Sequence, residues 1–150
     1  MGIFVISKAL YVEGLDQILR NVRKANIKIG QAAERGLLEG GKFLREESEK
    51  IVPVHTGKLK DSCYGPTNIG EKGLKANVVV GYEAEYAVYV HENPSAAHGE
   101  EFNVKYAAEI AAGRMTARKP EEQWKFLEAP MRVHRNTIFK IIASWIKRVA

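Results

Sequence analysis

An α+β fold over a single domain, residues 1–150, is what the sequence predicts: a long helix and a C-terminal helix packed on a small, mainly antiparallel β-sheet, with an extended loop at about 95–119. Three observations lead there. Apolar and small residues recur at helical spacing up to Pro53, a glycine-punctuated turn precedes the β-branched run Ala76–Tyr82, and the segment Pro130–Val149 separates apolar from basic residues at helical period.

Residues Phe4–Val12 mix β-branched and aromatic side chains with polar ones and read as a short strand before the Glu13-Gly14 break. From there Leu15, Ile18, Leu19 and Val22 begin a helical stripe, with Asp16 placed favourably at the positive end of the helix. A weak point is expected near Asn26. The stripe resumes through Ile29, Ala33, Leu37, Gly40, Leu44 and Ile51. Its small members, Ala32, Ala33, Gly36, Gly40 and Gly41, lower helix propensity but let another element approach the backbone, and packing on a sheet is the simplest reason for them. The other face, rich in Glu, Lys and Arg from Glu34 to Lys50, reads as a solvated or subunit-facing surface.

Val52-Pro53-Val54-His55-Thr56-Gly57-Lys58-Leu59 ends this helix. Proline removes a donor and biases Val52 out of helical space, Gly57 can adopt positive φ, and His55 and Thr56 can hydrogen-bond locally. Asp61–Thr67, the turn around Gly70 and Gly73, and Ala76–Tyr82 then make a hairpin. Glu85–Glu92 is aromatic and β-branched, and its period fits either a strand or a short helix in the core. Residues 95–119 read as loop, with room for a helical turn around Tyr106–Ala112. The return Trp124-Lys125-Phe126-Leu127 should bury Trp124 or Phe126, and Pro130–Val149 should form a terminal helix covering the sheet beside the long one.

Catalysis finds little to use. The single cysteine, Cys63, reads as a small buried hydrophobe and excludes an intramolecular disulfide. His55, His91, His98 and His134 show no metal-ligand spacing, and the best local cluster, His91-Glu92 with His98 and Glu100-Glu101, is thin. Gly65–Gly73 lacks the Gly-Lys-Ser/Thr ending of a phosphate loop. Adjacent glutamates such as Glu46-Glu47 diverge in regular structure rather than converge on a bond. No enzyme mechanism and no cofactor is expected, and no run is long enough for a membrane span. The formal net charge of +5 would suit a DNA or acidic protein surface.

Two stretches together carry a resemblance. Pro53, Thr56, Gly57 and Leu59 form a P-x-x-T-G-x-L turn, and Tyr86, Ala87, Tyr89 and Val90 form a Y-A-x-Y-V run downstream. In this order, with the Trp124–Leu127 return, they resemble the HK97 gp10-like family of tailed-phage proteins, although Asn93-Pro94 replaces the aromatic and Gly-Thr pair that often follows there. The resemblance implies a structural virion protein without catalysis, at the head-to-tail junction as a tail-completion, neck or connector component. It implies a ring-shaped homo-oligomer contacting portal or adaptor and tail proteins, with genomic DNA passing through the lumen without sequence-specific binding. A tail terminator or head-closure protein would look similar in sequence. A small basic DNA-binding protein and a metal-dependent hydrolase are the readings from other classes. In the ring reading, the N-terminal segment and an arm containing Ala97, Phe102, Tyr106 and Arg114 are expected to reach neighbouring subunits.

Overall fold

The structure, a computed structural model, describes residues 14–54, 57–94, 99–115, 117 and 122–150. Helix α1 runs from Leu15 to Ile51 without interruption, so its 37 residues span about 55 Å. Gly14, at φ 86°, opens it and Asp16 occupies its first turn. The expected weak point at Asn26 does not form: one residue of modest propensity, flanked by good helix formers, costs less than ~1 kcal/mol and cannot break the ladder. The strand expected over Phe4–Val12 lies outside the described residues.

After Pro53 the chain makes α2 (Lys58–Asp61), β1 (Cys63–Asn68), a 3-10 turn (Gly73–Lys75) and β2 (Val78–Tyr82). The strands pair antiparallel, Cys63 opposite Tyr82 and Asn68 opposite Val78, with an irregularity between Tyr64 and Thr67. Helix α1 braces this hairpin twice. Arg45 Nη1 donates to the Gly65 carbonyl at the irregularity over 2.9 Å. The Glu34 carboxylate accepts from Gly73 N–H at 2.9 Å and from Asn68 Nδ2 at 3.0 Å, while Asn68 Oδ1 accepts from the Gly70 and Asn77 amides.

Three short helices follow: α3 (Ala87–Glu92), α4 (Gly99–Lys105) and α5 (Ala107–Ala111). The described part of the 95–119 segment is thus mainly helical rather than an extended loop. Ala107, Ala108 and Ala111 supply high helix propensity, the Phe102 and Tyr106 rings meet at a tilt one turn apart at 4.7 Å, and Gly113, at φ 69°, stops the run. The chain closes with α6 (Glu128–Val133) and α7 (Arg135–Lys147). The terminal helix expected as one piece is divided at His134, whose ring meets Phe43 of α1 edge-on at 5.4 Å.

The small residues of α1 do admit close neighbours, but those neighbours are three different elements. A Cβ at Gly30 would lie 3.0 Å from the Leu74 amide, one at Gly36 2.9 Å from Ile142 Cα, and one at Gly41 2.7 Å from Pro66 Cβ. The hairpin therefore lies along one side of α1 and α7 along another, antiparallel to it. Val52, Leu59, Ala87 and Phe126 form the buried cluster at the C-terminal end of α1, joined by Tyr82, Val90 and Leu127.

Candidate interaction site

Both sequence motifs converge on that cluster. Pro53 directs the chain out of α1, Val52 and Leu59 point inward, and Gly57, at φ 83°, starts α2 in a conformation that disfavours a Cβ. His55 and Thr56 lie outside the described residues. The second motif is helical: Ala87 and Val90, three positions apart, face the cluster, while Tyr86, Val88 and Tyr89 face solvent, the last two more than two-thirds exposed at 74% and 70%. Strand alternation would instead have placed Tyr86, Val88 and Val90 together.

Phe126, rather than Trp124, is the buried ring of the return segment. It meets Tyr82 and His91 edge-on at 5.0 and 4.9 Å. The return is stitched to both motifs through the backbone, with Gln123 N–H donating to the Ile51 carbonyl and Lys125 N–H to that of His91. The Ser48 and Tyr82 hydroxyls share a hydrogen bond of 2.8 Å beneath the cluster. Burial pushes the Tyr82 phenol well above its ordinary value, and burial also raises the Cys63 thiol, which therefore holds its proton.

At the surface of this knot Lys125 Nζ bridges Glu92 at 2.6 Å and Glu128 at 2.9 Å, and His91 Nδ1 lies 2.7 Å from Glu92. The Lys125 ammonium, then the His91 ring, hold the Glu92 carboxyl below its ordinary value; Glu92 and Glu128 together raise that of Lys125. The two Lys125 contacts are closed ion pairs. Of the thin cluster noted in the sequence, His91 and Glu92 come together, Glu101 is exposed, and His98 and the Glu100 side chain lie outside the description. Among the described residues no group of three or more His, Cys, Asp or Glu side chains is placed to hold a metal ion.

An open apolar cleft of about 700 Å³ separates β2 from α7, with Gly40, Gly41 and Leu44 as its floor and Val78, Val80 and Ile138 among its walls. His91, and Glu128 paired with Arg132, are the titratable side chains among its described lining. The residues expected in an arm are distributed differently: Phe102 is buried within the protomer, Tyr106 is half-buried against it, and Arg114 is exposed and paired with Glu109 at 2.5 Å. Ala97 is not among the described residues.

The first turns of α1 turn an apolar stripe outward. Leu15, Ile18, Leu19 and Val22 of α1 are 45%, 57%, 44% and 50% exposed, and every residue from 14 to 28 is exposed. Helical periodicity identifies such a stripe, but the element that covers it cannot be read from spacing. No described helix is long and apolar enough to cross a membrane.

The family model described as "Bacteriophage HK97-gp10, putative tail-component" matches residues 16–91, from the first turn of α1 through the hairpin to α3. No curated protein and no solved structure matches the chain.

Proposed function

Because the chain belongs to the HK97-gp10-like family of bacteriophage tail components, we propose that it is a structural virion protein of the head-to-tail junction, a tail-completion or neck component that assembles as a ring around the DNA channel. In that position its neighbours are portal or adaptor protein on one side and tail proteins on the other. Genomic DNA passes through the lumen without sequence-specific contact.

One observation carries the reading: the N-terminal part of α1 leaves the body as a bare amphipathic helix with its apolar stripe half exposed. A helix of that kind gains its stability from a partner surface. Of the motif residues, Gly57, Leu59, Ala87 and Val90 serve architecture. Arg20, Arg23 and Lys24 on this N-terminal part of α1 suit a lumen or a protein surface, and a binder that held DNA tightly would obstruct its passage.

Phage assembled without this protein provides the test. Filled heads and finished tails should accumulate unjoined, and adding back the purified chain should join them. Normal joined particles in its absence would reject the reading.

A further inference from the structure

Among the described residues, the stripe on α1 continues past the elements packed on that helix. Near the end of α7, Trp145 lies beneath the Arg35 guanidinium of α1, and with Arg148 it lines a hollow shared with Lys28 and Gln31. Leu15, Ile18, Leu19 and Val22 lie beyond, accompanied by Arg20, Arg23 and Lys24, with Asp16 the lone acidic residue between positions 15 and 28. At the other end of the molecule, α3 presents Tyr86, Val88 and Tyr89 to solvent, and Glu83 and Glu85 stand exposed beside them. Of the three glutamates among residues 83–92, Glu92 is taken by Lys125, while Glu83 and Glu85 are exposed beside α3. One surface is apolar and basic, the other apolar and acidic.

We propose that the N-terminal arm of α1 docks on the outer face of α3 in a second copy of this chain, head to tail. The two surfaces cannot meet within one copy. Ala87 anchors α3 against Val52, and Val52 is 33 positions along the same unbroken helix from Leu19, a separation of about 50 Å. Two different patches at opposite ends define a heterologous contact, which closes into a ring or propagates. Apolar side chains supply the buried area, with tyrosines as amphipathic anchors, while the opposed charges set register and disfavour arm-to-arm pairing. The contact also accounts for the outward tyrosines of the Y-A-x-Y-V run, whose inward partners alone serve the core.

This pairing rests on the ring reading, and charge reversal separates the two. Chains carrying Arg23→Glu with Lys24→Glu, or Glu83→Lys with Glu85→Lys, are followed by sedimentation velocity over a concentration series. Each reversal should raise the half-assembly concentration by at least ~10-fold. All four changes in one chain, or an equimolar mixture of the two reversed chains, should restore it to within about 3-fold. Thermal melts taken well below the assembly concentration, where single copies prevail, should stay unchanged, since every altered residue is exposed. Assembly indifferent to the reversals, or loss that neither combination restores, overturns the pairing and leaves the ring. A melt lowered by the arm changes would show the stripe covered within its own chain, and overturns it too. A natural chain that is monomeric both alone and when added to tails overturns the pairing and the ring together.

Discussion

Gly36 lies against Ile142 so closely that a Cβ on the glycine would sit 2.9 Å from the isoleucine Cα and 3.1 Å from its carbonyl oxygen. Backbone meets backbone here, so neither side can yield by turning a side chain. At Gly40, one turn along, the added atom would meet Ile138 Cγ2 at 3.1 Å, the tip of a side chain. Gly36→Ala should therefore destabilise the protein by about 1–3 kcal/mol despite better helix propensity. Gly40→Ala should be within about 1 kcal/mol of neutral. Urea titrations of the two variants check the contrast, and equal losses would show that α7 is not held by backbone proximity at Gly36.

Gly57 begins α2 at φ 83°. A β-branched residue there forces either strain or a changed path between Val52 and Leu59, which both belong to the buried cluster. Gly57→Val should cost about 2 kcal/mol or more, and Gly57→Asn clearly less, because asparagine tolerates the left-handed region. Calorimetry would decide; an unshifted valine variant would remove the turn's architectural role.

The Ser48–Tyr82 hydrogen bond offers a cycle. Ser48 is fully buried, so Tyr82→Phe strands its hydroxyl and should cost about 1–3 kcal/mol, whereas Ser48→Ala with Tyr82→Phe should cost less than the two single changes summed. The folded protein also holds the Tyr82 proton more tightly than the unfolded chain does. Its contribution is complete below the ordinary tyrosine range near about 10 and is lost as pH climbs toward the raised folded value. In an ultraviolet titration Tyr82 should ionise late, and Tyr82→Phe should remove that late step. A titration curve whose late part is unchanged in Tyr82→Phe would contradict this.

Glu34 holds the far end of the hairpin through the Gly73 amide and the Asn68 side chain, and these bonds lower its carboxyl below the ordinary value. The folded state binds that proton less readily, so the stabilisation is present above the ordinary carboxylate value and disappears as pH falls through the lowered one. Glu34→Ala should speed hydrogen exchange at Gly73 at neutral pH, and the difference from the natural chain should vanish in strong acid. Exchange unaffected at neutral pH would show that the turn holds itself.

The sequence reading reached some of these elements and not others, for identifiable reasons. The helix from Leu15 to Ile51 and the hairpin ending at Tyr82 follow from period and punctuation, both local properties. The glycines of α1 signalled close approach, but the neighbours at Gly36 and Gly41 lie far along the chain, so which element approached which glycine was not legible. Glu85–Glu92 is too short for its period to separate strand from helix. Trp124 and Phe126 looked equivalent until Tyr82 and His91 formed a slot that fits one ring. In α4, polar composition obscured a helix, whereas the helical turn expected around Tyr106–Ala112 is present as α5. At the candidate site, the motif residues were found from the sequence, while their division into inward Ala87 and Val90 and outward Tyr86 and Tyr89 required the fold.

The central claim, that this chain is a ring component of the head-to-tail junction, is tested most directly by locating it in intact phage particles. A cryo-electron-microscopy map of the junction should contain a ring of copies of this fold between portal and tail, coaxial with the DNA channel. A complete junction with no density for this fold, or copies found only elsewhere in the particle, would contradict the account.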